Sequence, residues 1–449
     1  MLILILLSLF NAVAHQLQVV NVLRLPIPGF PMGVPEIGAV LLLIHALVFG
    51  GTTPYPSKRM HPALVTTLVL LGIGLAIGSA ESFLQQISLE TFFRWMRELG
   101  AWPLYLFVGY RLIKTPRSAT TFLYLLIICG FLTATVLLAN WSSNAEKIEL
   151  SETYNAVRTV WYVDNYAGLA SMLLAYTLVT DQRLLPKIVA LPLACYCLAG
   201  QCSPLHRVEW LGMTLCAVGL MTLIPPNRRV VSAVKGLVVV VVLGGAMFGA
   251  LWIASNVTHR DFFKYASDRI VSMLPTARET SKEGKAWDTR LDSLTEETKI
   301  WLSSPVFGKG LGIQDELAFT GKIVNYGAFH HNGWMAILAQ MGPIGLAGYM
   351  MIIGGGFVIG RRLVREGPTK SMRLIGFLAF MVSIYGFTEV LGAGEWAQRI
   401  AILHGVIVGM AYRCYDMREA VAIDQELTQA VPAEEYAEEP LPEHVPSVF

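Results

Sequence analysis

GLVVVVVLGGAMFGALWIASNVTH, from Gly236 to His259, contains no Asp, Glu, Lys or Arg. A helix needs about 20 mostly apolar residues to cross about 30 Å of hydrocarbon. This run has that length without a single formal charge, so it reads as a membrane span. Similar runs lie on both sides of it, at about 2–20, 37–53, 62–80, 99–113, 119–140, 164–180, 185–200, 209–225, 333–360, 374–392 and 396–412. The expected fold is therefore an all-α polytopic membrane protein of about 12 transmembrane helices.

Composition agrees. Of the 449 residues 54% are hydrophobic and only 15% charged, and the mean hydropathy is +0.54. A soluble domain carries about 25% charged residues. The deficit excludes a disordered chain, a fibrous chain and an ordinary cytosolic enzyme. A net charge of +2 provides no global basic field for nucleic acid. Four of the six cysteines (Cys129, Cys195, Cys197 and Cys216) fall in apolar runs, and Cys202 has no evident outside partner, so neither a disulfide framework nor a zinc site is expected. Ala12-Val13-Ala14 makes a cleaved signal peptide the alternative for the first segment.

Orientation follows from the basic residues. Loops after even-numbered spans hold 17 Lys and Arg, and short loops after odd-numbered spans hold 7. Both termini are then expected in the cytoplasm, and the long 258–332 segment outside. The domain reading is membrane helices over 1–257, one large outer loop over 258–332, membrane helices over 333–413, and a disordered acidic cytoplasmic tail over 414–449, where Glu, Ala and Pro dominate.

The 258–332 segment is too long for a mere connector. Phe262, Phe263, Tyr265, Ile270, Val271 and Leu274 suit a helix lying on the membrane surface. A second helix is expected from about Asp288 to Ser303. Ser304-Pro305-Val306-Phe307-Gly308-Lys309-Gly310-Leu311-Gly312 follows. Its alternating glycines allow a tight backbone close to a ligand or to another helix. It is a weak phosphate loop, since no GKS or GKT follows. The segment ends Phe329-His330-His331-Asn332-Gly333-Trp334. Asn332 suits the N-cap of the next span. His331 would then sit at the water–lipid boundary beside a positive helix N-terminus, which favours a neutral imidazole and a general base. An interfacial histidine or half of a metal pair are the alternatives, although adjacent histidines do not share a helix face and no carboxylate cluster lies near. Arg207 and Arg290 are the outer arginines whose planar fork would suit phosphate oxygens, and headgroup snorkelling is the competing role.

These residues together form a pattern. An arginine, Arg290, stands fifteen residues before Pro305-x-x-Gly308-x-Gly310, and His331-Asn332 opens a helix reading Leu338-x-x-x-Gly342-x-x-Gly345-Leu346. In this pattern the chain resembles the O-antigen ligase and polysaccharide polymerase superfamily of bacterial inner-membrane proteins. The likeness is specific over about 290–350. Asp164-Asn165-Tyr166-Ala167-Gly168 resembles the family's Asn-rich start of a middle span, Arg207 falls at a position often read Ser-Arg-Gly, and Glu389 matches a frequent acidic position.

The resemblance implies a GT-C-like membrane glycosyltransferase with one large periplasmic loop and its active site at the periplasmic face. Its relatives take an undecaprenyl-diphosphate-linked glycan as donor. The acceptor is lipid A-core for a ligase, in lipopolysaccharide biosynthesis, or a second lipid-linked glycan for a polymerase, in O-antigen or exopolysaccharide biosynthesis. An O-linked protein glycosyltransferase is a third variant. The resemblance further implies inversion at the sugar carbon with no metal and no cofactor, and no Asp-x-Asp motif occurs here. It assigns His331, Arg290 and Arg207 to catalysis, and His330, Asn332, Gly308, Gly310, Glu389 and Glu395 to substrate binding and positioning. The rival class is a transporter or flippase of lipid-linked sugars. Such proteins carry ionisable residues deep in their spans, whereas here the spans hold His45 and His404 and the chemistry clusters in one outer loop. A scaffold protein with a receptor-like loop would not need the Arg–Gly–His-Asn spacing.

Overall fold

The computed structural model describes residues 59–144, 164–180, 182–202, 207–224, 229–258, 285–319, 332–392 and 398–430, together with 41, 43, 44, 46–48, 54 and 55. Among them the chain is helical, with no strand: α1 (Pro62–Leu84), α2 (Leu89–Leu112), α3 (Pro116–Asn144), α4 (Asp164–Thr180), α5 (Lys187–Cys202), α6 (Arg207–Leu223), α7 (Arg229–Thr258), α8 (Lys285–Leu302), α9 (Ile313–Phe319), α10 (Gly333–Glu366), α11 (Lys370–Gly392) and α12 (Gln398–Ala430). Four described stretches are long and apolar enough to cross a membrane, namely Pro62–Leu84, Pro116–Ala139, Gly333–Glu366 and Lys370–Thr388; shorter apolar helices cover Tyr166–Thr180, Lys187–Cys202 and Leu211–Leu220. The protein is an integral membrane protein. The two expected spans before residue 54 fall almost wholly outside the described residues, as does the expected surface helix over 262–274.

Local chemistry sets the helix starts. His61 caps α1, its Nδ1 accepting from Ala63 N–H, and Pro62 occupies the first turn, where a missing N–H costs nothing. Ser88 caps α2 through Thr91 N–H. That cap starts α2 ten residues before the expected span. Its first turns are amphipathic rather than uniformly apolar, with Thr91, Phe92 and Leu99 buried while Glu90 and Arg94 stay polar.

Apolar side chains gain little by leaving lipid for a helix contact, so close backbone approach through small residues does the joining. In α12, Gly405-x-x-x-Gly409 presents such a face to α2. A Cβ on Gly409 would meet Tyr110 N at 2.8 Å and lie closer still to Leu106 O, and one on Gly109 would meet Val406 Cα at 2.7 Å. In α10, Gly360 lies against Gly376 and Phe380 of α11, and Gly345 receives Gly74 of α1. Trp102, Tyr105, Tyr349, Phe377 and Phe380 fill the interior between these helices. On α7, Val230, Val241 and Phe248 are exposed, as a lipid-facing surface requires.

Successive helices reverse direction, so the ends of α1, α3, α5, α7 and α11 and the starts of α2, α4, α6, α10 and α12 share one side, with α8 and α9. The other side carries a polar knot. Arg413 is 5% exposed and donates to Ile113 O and to Tyr55 O. Asp416 accepts from Tyr110 Oη at 2.8 Å and from His61 N–H at 3.1 Å. Asp424 accepts from Tyr55 Oη. The tail expected to be disordered from 414 is thus helical to Ala430. Good helix formers run through it, and Met417 and Val421 are buried against the bundle. Residues 431–449 lie outside the described residues.

Candidate functional site

The second expected helix of the outer segment is α8, running Lys285–Leu302 rather than Asp288–Ser303. It packs on α10 with Glu297 and Ile300 buried. The glycine loop then turns sharply, and its close approach is to helices. Gly308, Gly310 and Gly312 have φ of 75°, 97° and 83°, values that glycine adopts without strain. A Cβ on Gly308 would meet Gln340 C at 2.6 Å, and one on Gly310 would meet Ser82 N at 2.5 Å. The loop is wedged between the end of α1 and the first half of α10.

Its receptor in α10 is a break in the helix. Gly342 stands at φ 65°, ψ −170°, followed by Pro343. Pro343 has no N–H, so Ala339 O, four residues earlier, loses its helical donor. Lys309 N–H supplies one at 2.7 Å, and Gly310 N–H reaches Gln340 O at 3.1 Å. Gln340 Oε1 accepts from Gly312 N–H at 2.9 Å, and Ser82 Oγ accepts from Leu311 N–H at 2.6 Å. Non-helical backbone at membrane depth is tolerated where neighbouring protein satisfies it. The Pro-x-x-Gly-x-Gly stretch and the Gly-x-x-Gly-Leu stretch are therefore two halves of one joint.

Beyond the loop, α9 lies on the first turns of α2. Asp315 is 2% exposed, forms an ion pair with Arg94 and accepts from Trp95 Nε1 at 2.8 Å. Glu316 accepts from Ser88 N–H. Beneath the same side of the bundle runs a buried polar chain. Gln201, 0% exposed, accepts from Gly168 N–H at 2.9 Å and donates to Tyr385 Oη at 3.0 Å, joining α4, α5 and α11. His404 of α12 lies edge-on to Tyr385 and to Trp102.

The residues singled out from sequence distribute as follows. Asn332 caps α10, its Oδ1 accepting from Met335 N–H at 3.2 Å. Arg290 lies on α8, Arg207 is the first residue of α6, and Glu389 lies on α11. Alternation of helix direction puts Asn332, Arg207 and Glu389 at the end of the bundle that holds the glycine joint, while α8, which bears Arg290, packs on α10; the rings of Trp334 and Phe387, 5.7 Å apart, tie the start of α10 to the end of α11. His330, His331 and Glu395 lie outside the described residues. Among the described residues no three His, Cys, Asp or Glu side chains are grouped to hold a metal ion. Sequence reasoning missed Ser82, Gln340, Asp315 and the Gln201–Tyr385 chain. Gln340 sits inside the quoted helix pattern, but the others have no local signal, because their partners are far away in the chain.

Residues 193–350 match the family model described as O-antigen ligase. The match encloses α6, α7, the 258–332 segment, the glycine loop with its receptor in α10 and the capped start of α10, and it supports the resemblance to the O-antigen ligase-like superfamily. No curated protein matches the chain.

Proposed function

We propose that the protein is a glycosyltransferase that moves a glycan from an undecaprenyl-diphosphate carrier to a sugar hydroxyl of a lipid-borne acceptor, at the periplasmic face of the bacterial inner membrane. The observation that carries this reading is the joint itself. It fixes the last turn of α8, the helix on which Arg290 lies twelve residues upstream, against α10, whose capped start is preceded by His331, within the stretch that matches the O-antigen ligase family.

The diphosphate is already a good leaving group, so the protein's task is alignment and charge stabilisation. Arg290 and Arg207 hold the diphosphate oxygens and offset the charge that grows on them. His331 accepts the proton of the acceptor hydroxyl. That oxygen forms the new bond to the anomeric carbon while the bond to phosphate breaks, and undecaprenyl diphosphate leaves with the electron pair, inverting the carbon. Asn332 caps the helix that His331 precedes, the buried loop of Gly308 and Gly310 holds that helix in place, and His330, Glu389 and Glu395 orient the histidine or the acceptor. A ligase and a polymerase differ only in which lipid carries that acceptor.

The test is His331→Gln, which keeps a side-chain hydrogen-bonding group and removes the base. Glycan transfer falls about 10²–10⁴-fold in a variant that inserts normally. Wild-type product from that variant sinks the general-base role. Movement of carrier-linked glycan by purified protein with no new glycosidic bond would replace the transferase with a transporter.

A further inference from the structure

On α10 beyond the joint, Met350, Gly354, Phe357, Val358, Arg361 and Arg365 recur every three or four residues, and all are exposed. That spacing puts them on one stripe of the helix, apolar from Met350 to Val358 and cationic from Arg361. From Ala339 at the joint to Arg361 the helix rises about 33 Å, close to the thickness of the hydrocarbon. The two guanidinium groups therefore stand at the polar boundary opposite the joint. A Cβ on Gly354 would meet nothing within 4 Å, which leaves a notch in the middle of the stripe. Phe357 stacks on Phe380 of α11 with ring centroids 4.6 Å apart, and a Cβ on Gly219 of α6 would meet Cε1 of that same ring at 3.0 Å. Both α6 and α10 thus lie along α11, and at their shared end Arg365 donates to Thr222 O at 3.4 Å.

Charge at this boundary is unbalanced. Five basic residues fall between 361 and 373, and Glu366 is the one carboxylate among them; it lies 3.9 Å from Arg418. Arg362 and Arg373 turn to protein acceptors, the Tyr415 hydroxyl and Gly367 O, each at 3.2 Å. Among the described residues no carboxylate pairs with Arg361, Arg365 or Lys370. A soluble anion would use this charge and leave the apolar stripe idle, while a neutral lipid would cover the stripe and leave the charge unmatched. An amphiphile with a negative head matches both. We propose that this surface holds an anionic phospholipid, its phosphate on Arg361 and Arg365 and one acyl chain along Val358, Phe357 and the notch at Gly354. Lys370, at the start of α11, adds to the field around the headgroup. The site is independent of the transfer chemistry proposed above, which lies at the other end of the bundle.

The test uses the full-length protein, stripped of lipid in a neutral detergent and titrated with phosphatidylglycerol, phosphatidylcholine or inorganic phosphate. Native mass spectrometry counts the lipid retained, and thermal unfolding follows its effect. Phosphatidylglycerol binds about thirtyfold more tightly than phosphatidylcholine and raises the unfolding midpoint, because it bridges α6 and α10. Each basic residue at a membrane surface strengthens such binding about fivefold. Arg361→Gln, which breaks no bond in the fold, therefore weakens the tightest-bound phosphatidylglycerol about fivefold, and Arg361→Gln with Arg365→Gln weakens it about thirtyfold. Arg362→Gln removes the same charge from the side of the helix that Tyr415 holds, and leaves the affinity within about twofold. An equal loss from Arg362→Gln would show a diffuse basic field. Equal affinity for phosphatidylcholine would show an apolar surface alone. Displacement of the lipid by an equal concentration of inorganic phosphate would show a site for soluble anions. Each of these three results overturns the proposal.

Discussion

Replacing Gly342 by alanine tests the joint between loop and helix directly. Gly342 combines φ 65° with ψ −170°, a region essentially reserved for glycine, where another residue costs about 1–3 kcal/mol. The added methyl would also meet backbone: it would lie 2.9 Å from the carbonyl carbon of Val306 and closer to its oxygen. Relief requires the loop to lift, which gives up the bonds from Lys309 to Ala339 and from Gly310 to Gln340, each worth about 1 kcal/mol net. The expected loss is about 2–5 kcal/mol of stability, with faster amide exchange over 304–312. Gly354→Ala is the matched control in the same helix. Nothing lies within 4 Å of its Cβ position, and alanine there gains about 0.8–1 kcal/mol of helix propensity. The assay is unfolding of purified protein in detergent or nanodiscs, with exchange measured on both variants. If Gly342→Ala is as stable as wild type with the 304–312 amides still protected, the reasoning fails.

Two further outcomes are expected. Gly409→Ala pushes a methyl onto the backbone of Leu106 and Tyr110 and separates α2 from α12, at about 1–3 kcal/mol; unchanged unfolding would show that the two helices are not in close contact there. At the opposite end, burial pushes the carboxyl of Asp416 up from its ordinary value, against the lowering effects of Tyr110, His61 and Arg413. A raised folded-state pKa means that the protonated carboxyl fits the fold better than the ionised one, so stability is fullest below the unfolded pKa and declines as pH rises through the folded one. Asp416→Asn retains an acceptor for Tyr110 and flattens that decline, as a comparison of unfolding midpoints from mildly acidic to neutral pH will reveal; an identical slope in both proteins refutes the assignment.

Much of the architecture could be read from one-dimensional signals, because lipid imposes simple rules on sequence. Apolar runs of sufficient length gave spans at Pro62–Leu84 and Gly333–Glu366, and Asn332 before an apolar run identified a cap that the structure contains. Spacing brought the two glycine motifs into one pattern but not into one joint, since nothing in Gly308-x-Gly310 names Ala339 or Gln340 as its acceptors. Asp315 carries no local sign of its burial, because Arg94 and Trp95 lie more than two hundred residues away in the chain. The helix past residue 413 was missed for a different reason. Composition described an acidic solvated stretch, while Met417, Val421 and the bonds of Arg413 and Asp416 supply the tertiary support that composition does not register.

The break in α10 also has a consequence for how the chain is made. Ala339 O has no helical donor across Pro343, and its replacement comes from Lys309, a residue synthesised before α10 itself. The other side of the wedge, Gly78 and Ser82, is older still in the growing chain. α10 can enter the bilayer as an apolar segment, but its bent form leaves a carbonyl unpaired in a medium with no water to take it until the loop arrives. The bend and the docking are thus one event, which waits on α1, the 304–312 loop and α10 together. A chain halted before α10 has no joint to offer.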